Sequence, residues 1–305
     1  MKISAPAKVN LRLEILARET LGYHQLETVF CALELADELE VVVDTDSVPA
    51  GGGVTVEVTA ADVPGGERNL AHRAASAFTQ RVTGLGAVSI HIRKRIPAAA
   101  GLGGGSSDAA STLLALNELA GRPLRRAELL ELGATLGADV PFFACGSPLA
   151  LAWGRGDRLL PLPPLPSRPV LVAVPPFASP TAEAYSLLAA QRGDVRAQAA
   201  LIELDRLASW EAVSRDASNA FERPLFSGFT ELADLKAALS RPPAMFALLS
   251  GSGSSMFAVF EDAEARDRAA ARLAAEFPRV TFIPTATAET VPIQAQLVDP
   301  GTGSR

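Results

Sequence analysis

The chain has 305 residues, 48% of them apolar, which is enough for one large or two ordinary domains with cores of their own. Its 28 Lys and Arg stand against 34 Asp and Glu, a formal net charge of -6, and no basic block offers a groove to a nucleic-acid backbone, so nucleic acid is excluded as the main partner. The opening Met1-Lys2-Ile3-Ser4-Ala5-Pro6 lacks the apolar core of a signal peptide, no segment approaches the ~18 apolar residues of a membrane span, and Cys31 and Cys145 have neither metal-ligand spacing nor a disulfide framework. A cytoplasmic protein without a membrane partner is expected.

In chain order, Val9, Leu11, Leu13 and Ile15 alternate with Lys8, Asn10, Arg12 and Glu14, the period of a half-buried strand with Lys8 and Asn10 on one face. Further strands are predicted at about 28–33, 39–43, 54–58 and 88–92, with helices at about 70–83, 106–119 and 126–136. Strands and helices interleave without strict alternation, which predicts an α+β domain. The proline-rich stretch 160–169 (LPLPPLPSRP) cannot continue a helix or a central strand and predicts a linker or surface crossing near a domain boundary. Beyond it come a strand at 170–174, helices near 181–190 and 229–239, and strands at 246–249 and 255–260. A helix at 263–277 and a strand at 280–283 follow. From about 286 the pattern fades into an expected flexible tail.

The segment with the most chemistry is Pro97-Ala98-Ala99-Ala100-Gly101-Leu102-Gly103-Gly104-Gly105-Ser106-Ser107, placed before a helical run. A glycine loop that opens a helix aims backbone N–H groups at one point and so holds phosphate without a basic cluster. No Gly-Lys-Ser/Thr follows, so it is not a Walker A element, and Ser106 stands where a dinucleotide fingerprint needs its third glycine. Ser106, Ser107 and Asp108 are expected to cap the next helix and are able to ligate phosphate or its metal. Other features have ordinary readings when taken singly. Asp139 before Val140-Pro141 reads as a helix cap, Gly22-Tyr23-His24 as a turn, and Leu249-Ser250-Gly251-Ser252-Gly253-Ser254-Ser255 as a hairpin connection. Lysine is scarce, at Lys2, Lys8, Lys94 and Lys236 only, so each one marks a possible need for a compact ammonium.

Ala5-Pro6-Ala7-Lys8-Val9-Asn10-Leu11, the loop over 97–107 and Ser250-Gly251-Ser252-Gly253, in that order, resemble the three motifs of the GHMP kinases, over most of the chain. Lys8-Val9-Asn10-Leu11, Gly22-Tyr23-His24 and Leu136-Gly137-Ala138-Asp139-Val140-Pro141-Phe142 are similar to the members that act on a cytidine-diphosphate-linked polyol of non-mevalonate isoprenoid biosynthesis. The resemblance implies ATP-dependent phosphorylation of that polyol's 2-hydroxyl. It also implies a two-domain GHMP kinase fold: a ribosomal-protein-S5-like N-terminal domain, taken as 1–160, and a ferredoxin-like C-terminal domain, 161–285, before the tail 286–305.

By the same resemblance, the glycine loop holds the phosphates of ATP while Lys8 and Asp139 flank the acceptor hydroxyl. Asn10 helps to position that hydroxyl, Tyr23 and Tyr185 stack on the cytosine, and His24 hydrogen-bonds its edge. Asn69 and Lys94 match positions at the nucleotide end. Mg2+ is expected with ATP; its ligands are not identified by any acidic cage, and Ser107 is a candidate. No oligomeric state follows from the sequence. Leu21 and Ala220 depart from the family, which usually has an aspartate before Gly-Tyr-His and an acidic residue after Asn219. The alternatives are a GHMP kinase for another small alcohol such as homoserine, with no need for Tyr23, His24 and Tyr185, or a non-catalytic nucleotide sensor, which would tolerate loss of Lys8 and Asp139.

Overall fold

The computed structural model describes residues 1–18, 24–45, 53–60, 63–177, 181–192 and 203–291. Two long strands form its spine. β1 (Lys2–Arg18) and β2 (His24–Asp44) run antiparallel, from Lys2 opposite Glu40 to Arg18 opposite His24. The sequence predicts separate strands at 28–33 and 39–43; between them Glu34 is exposed and Leu35 and Ala36 are partly buried. The two are one strand that changes neighbours. Leu26 to Cys31 pairs with β5 (Leu149–Gly154), and Glu38 to Asp44 pairs with β4 (Ala87–Arg93). β3 (Val54–Val58) adds to β4 in parallel, and β6 (Arg158–Pro161) closes a hairpin with β5.

Helices α1 (Leu70–Arg81), α2 (Gly104–Leu119), α3 (Arg126–Leu136) and α4 (Val140–Ala144) form the first core with this sheet. Phe78, Leu113, Leu116 and Phe142 meet Phe30, Leu39, Ile90 and Ile92 there. α2 is buried nearly all round, including Ser107, Asp108, Ser111 and Thr112, so it has no clear polar stripe.

The second sheet follows from β7 (Pro169–Val174), α5 (Thr181–Arg192), α6 (Trp210–Asp216), β8 (Ser218–Asn219), α7 (Glu222–Gly228) and α8 (Thr230–Leu239). β9 (Ala244–Leu249), β10 (Met256–Phe260), α9 (Ala263–Glu276) and β11 (Thr281–Ala286) complete it. Its strand order is β11-β7-β10-β9, all antiparallel, the βαββαβ arrangement of a ferredoxin-like domain. β8 is the exception: it lies within 161–285 but joins the first sheet, parallel to β1 at Arg12 and Leu13.

Three sequence expectations change. β1 is not half-buried. Lys8 and Asn10 are as buried as Val9 and Leu11, because the first face meets the glycine loop and the opposite face, Ala7, Val9 and Leu11, packs on Val172, Leu248 and Phe257 of the second sheet. Register shifts also rephase the strand, one of them between Asn10 and Arg12. The stretch 160–169 is no free linker, since Leu162 and Leu165 are buried in that shared core. Nor does the tail begin at 286. Thr287 N–H donates to the Arg168 carbonyl and Ala288 N–H to the Ala32 carbonyl, both at 2.9 Å, while Ala288 and Val291 pack on the first core. This return is made by backbone pairing, which leaves no hydrophobic period to read. Residues 292–305 lie outside the described residues.

One buried ionic group ties β2, the turn after β4 and α2 together. Lys94 Nζ donates to Asp37 Oδ2 at 2.5 Å and to Asp108 Oδ2 at 2.7 Å. Asp37 Oδ1 also accepts from the N–H groups of Arg95 and Ile96, at 2.6 and 2.9 Å. Burial opposes the Lys94 charge, but the carboxylates of Asp108 and Asp37 outweigh it and push its pKa up. Burial also pushes the Asp108 carboxyl up to about 7, against the pull of Lys94. An unfolded aspartate loses its proton near pH 4. Between about pH 4 and 7 the folded chain therefore binds the extra proton, and stability falls as pH rises through that window. Thermal unfolding followed by circular dichroism at several pH values should show this fall in the wild type and a flatter profile in Asp108→Asn. Equal slopes would refute the assignment.

Candidate active site

The glycine loop turns through three left-handed residues, Ala99 (φ 50°), Gly101 (φ 76°) and Gly103 (φ 73°), before α2 begins at Gly104. Gly103 is the N-cap and no side chain caps the helix, so the first N–H groups of α2 have no partner inside it. This corrects the expectation for Ser106, Ser107 and Asp108: all three lie within α2, and Ser107 and Asp108 are buried. The loop can dispense with a capping side chain because left-handed residues curl its N–H groups towards one side, the geometry that receives an anion.

A cavity of about 420 Å³ opens over this loop, lined by Arg68, Asn69, Lys94 and every residue from Pro97 to Ser106. Ser107 is not at its wall; its Oγ is buried and has no hydrogen-bond partner. Asn69 lines the cavity and also caps α1, its Oδ1 accepting from Ala71 N–H at 2.8 Å and its Nδ2 donating to the Pro64 carbonyl at 2.9 Å.

A second cavity, about 340 Å³, adjoins the first through shared walls at Gly101, Gly103 and Ser106. Lys8, Asn10, Asp139 and Tyr185 line it together. Lys8 is 4% exposed, with Nζ donating to Asn10 Oδ1 at 3.0 Å, lying 3.6 Å from Asp139 Oδ2 and 5.4 Å from the Phe30 ring centre. Asp139 is the N-cap of α4 but makes no capping hydrogen bond. The capping reading of Asp139 is thus overturned: α4 starts with Pro at N1/N2, which leaves fewer N–H groups to satisfy, and the carboxylate faces Lys8.

Asn10 is fixed from three sides. Its Oδ1 also accepts from Gly251 N–H at 3.0 Å, and its Nδ2 donates to Thr28 Oγ1 at 2.7 Å. Tyr185 meets Phe221 edge to face, with ring centres 4.9 Å apart, and its hydroxyl pKa is pushed up by burial first and by the Asp139 carboxylate second. It is therefore a neutral phenol in the ordinary pH range. Tyr23 lies outside the described residues. His24 begins β2 opposite Arg18.

Sequence reasoning passed over several residues that build this site. Asn219 holds the loop after β9, with Nδ2 donating to the carbonyls of Leu249 and Gly251, both at 2.8 Å, and Oδ1 accepting from Phe221 N–H at 2.9 Å. In the sequence it is noticed only as the residue before Ala220, where the family pattern has an acidic residue next. Ser250 Oγ then donates to the Gly101 carbonyl at 3.0 Å. The approach demands glycine, since a Cβ on Gly101 would stand 2.3 Å from the backbone carbonyl oxygen of Ser250. Thr28, Arg155 and Phe221 also line the second cavity; each carried only strand, turn or core signals in the sequence. No helix among the described residues is long and apolar enough to cross a membrane.

Comparisons with known proteins agree with this architecture. The family descriptions "GHMP kinases N terminal domain" and "GHMP kinases C terminal" match residues 69–147 and 197–279. The 4-diphosphocytidyl-2-C-methyl-D-erythritol kinase of Geobacter sulfurreducens is 39% identical over 271 residues, 88% of this chain and 93% of the relative. That of Deinococcus radiodurans is 40% identical over 275 residues, 90% and 89% of the two chains. A crystal structure of 4-(cytidine 5'-diphospho)-2C-methyl-D-erythritol kinase aligns with a TM-score of 0.78 at 36% identity, covering 94% of this chain and all (100%) of that one. Homoserine kinase from Cytophaga hutchinsonii aligns with a TM-score of 0.69 at 18% identity, covering 95% of each chain, a likeness of fold alone. With both family descriptions matched and relatives of this identity spanning most of its length, the chain belongs to the 4-diphosphocytidyl-2-C-methyl-D-erythritol kinase family of the GHMP kinases.

Proposed function

We infer that this chain transfers the γ-phosphoryl group of ATP to the 2-hydroxyl of 4-diphosphocytidyl-2-C-methyl-D-erythritol, a step of non-mevalonate isoprenoid biosynthesis. The observation that carries the residue-level reading is the Lys8–Asp139 pair, Nζ to Oδ2 at 3.6 Å, in a cavity that shares walls with the glycine-loop cavity. Phosphoryl transfer asks for in-line positioning and charge stabilisation more than for covalent help. Two adjoining cavities provide the first, and an ammonium beside helix N–H groups provides the second.

In this reading the residues from Pro97 to Ser106 hold the phosphates of ATP, with Asn69 and Lys94 towards the nucleotide. Lys8 bears on the transferred phosphoryl group. Asp139 aligns the hydroxyl and accepts its proton late, as the P–O bond forms. Asn10 acts through Lys8 rather than on the hydroxyl directly, since its Oδ1 is already occupied by Lys8 and Gly251. Tyr185, with Tyr23 and His24, receives the cytosine. Mg2+ accompanies ATP and neutralises charge on its β- and γ-phosphates. Of the α2 side chains beside the loop, Ser107, whose Oγ is buried behind the cavity wall without a hydrogen-bond partner, would hold it there. Buried free Cys31, its thiol pushed up to about 12 by burial, and buried free Cys145 suit the cytoplasm, the location we propose.

Purified protein with Mg-ATP and the cytidine-diphosphate polyol should release ADP and yield a singly phosphorylated product by mass spectrometry, whereas homoserine and mevalonate should yield none. Turnover of either of those instead would overturn the acceptor. Asp139→Asn should keep nucleotide affinity by calorimetry yet lose roughly a hundredfold or more in kcat. A near-normal kcat would remove Asp139 from its role. Tyr185→Ala should raise KM for the polyol by roughly tenfold, the scale of a lost base stack, and leave KM for ATP near its starting value; equal rises would make Tyr185 a packing residue.

A further inference from the structure

We propose that Thr28 is a positioning residue for the phosphoryl transfer: its hydroxyl sets the orientation of the Asn10 carboxamide and, through it, the place of the Lys8 ammonium. The inference rests on the role of Lys8 proposed above and adds to it a residue that carried no motif in the sequence.

The side chains of Thr28, Asn10 and Lys8 form a chain of hydrogen bonds with one direction. Thr28 Oγ1 donates to the Arg12 carbonyl at 2.7 Å, where the ladder between β1 and β2 shifts register between Asn10 and Arg12. A hydroxyl has a single proton, so with that proton on Arg12 its oxygen can only accept. Asn10 Nδ2 donates to it at 2.7 Å. The other end of the carboxamide, Oδ1, then faces Lys8 Nζ and Gly251 N–H, each at 3.0 Å. Two backbone groups of unchangeable polarity anchor the chain: the Arg12 carbonyl accepts and the Gly251 N–H donates. Turned over, the carboxamide would set its NH2 against two donors and its oxygen against an oxygen with no proton left to give. Only one orientation is satisfied.

Burial makes that direction matter. Lys8 and Asn10 are buried, and Thr28 has no exposed surface (0%) although it stands at the wall of the second cavity. A hydroxyl so enclosed reaches the reacting atoms only through Asn10, and its loss leaves the Asn10 NH2 a buried donor without an acceptor. An ammonium has three protons and no directional preference of its own, so its neighbours place it. Lys8 Nζ is bonded to Asn10 Oδ1 and stands back from Asp139 Oδ2 at 3.6 Å. A carboxamide free to swing releases Lys8 towards Asp139, and a tighter ion pair would make that carboxylate a poorer acceptor for the hydroxyl proton.

Steady-state kinetics with Mg-ATP and the cytidine-diphosphate polyol test this on variants of the full chain. Thr28→Val keeps the shape and removes the hydroxyl; its kcat should fall roughly tenfold or more, the scale of a lost buried hydrogen bond, with KM for both substrates kept within about twofold. Thr28→Ser keeps the hydroxyl and should recover most of kcat. Thr28→Ala should repeat the valine pattern, so the prediction stands to be tested even where the valine variant does not fold. A lowered melting temperature with kcat unchanged would overturn the inference, since the hydroxyl would then serve stability alone. A serine variant as slow as the valine one would overturn it in favour of shape. So would a raised KM for the polyol with kcat kept, which would make Thr28 a contact of the acceptor. Each of these three outcomes, in a wild type that turns the polyol over, leaves the acceptor reading standing. A wild type without turnover would overturn both.

Discussion

The carboxamide of Asn10 is the contact on which the geometry of the site depends. A single oxygen, Oδ1, accepts from the ammonium of Lys8 and from the backbone N–H of Gly251, each at 3.0 Å, which uses both of its lone pairs. One partner belongs to the first sheet and the other to the loop between β9 and β10 of the second sheet. The same seam is closed by Ser250 Oγ on the Gly101 carbonyl and kept clear by the missing side chain of Gly101. The glycine loop, the proposed catalytic lysine and the loop after β9 are therefore held in register by a few buried hydrogen bonds. Such bonds are costly to leave half-made in a dry interior.

This arrangement explains how a chain of net charge -6 can handle highly charged ligands. Its positive potential is local and comes largely from oriented backbone. The first turn of α2 carries neither an acidic nor a basic side chain, so its field comes from N–H groups and the helix dipole. Lys94, which lines the glycine-loop cavity, is divided between Asp37 and Asp108. It serves as a strut for the loop's entry and exit more than as a free charge. Among the described residues, Lys8 and Arg155 are the cations that line the second cavity, the first buried and the second exposed.

The legible part of the fold is the part written in short periods. Strands such as 54–58 and helices such as 126–136 fall where the alternation and the apolar repeats put them. The elements passed over have reasons. α4 is five residues long, too short for a helical period. β5 and β6 lie beside a proline-rich stretch that reads as a boundary, and the two-residue β8 exists only because its partner β1 is there. The site was legible as motifs. The loop over 97–107, Lys8, Asn10, Asp139 and Tyr185 could be picked out, whereas Asn219 stood only beside the departure at Ala220 and Thr28 carried no motif; both are recognised by what they touch.

The sequence by itself determined the residue types and their local conformations. Glycines in a run before a helix dictate a loop of exposed N–H groups, and alternation dictates that Lys8 and Asn10 share a face. Both are consequences of backbone sterics within a few residues. Only the tertiary structure decided what those groups do. It turned Asp139 from a cap into the partner of Lys8, Asp108 from a phosphate candidate into the buried partner of Lys94, and Asn10 into the junction of two domains. Each of these contacts joins residues from different elements, with sequence separations of 131, 14 and 241 for the Lys8–Asp139, Lys94–Asp108 and Asn10–Gly251 pairs. A separation of that kind is fixed by how sheets and helices pack, and no local periodicity records it.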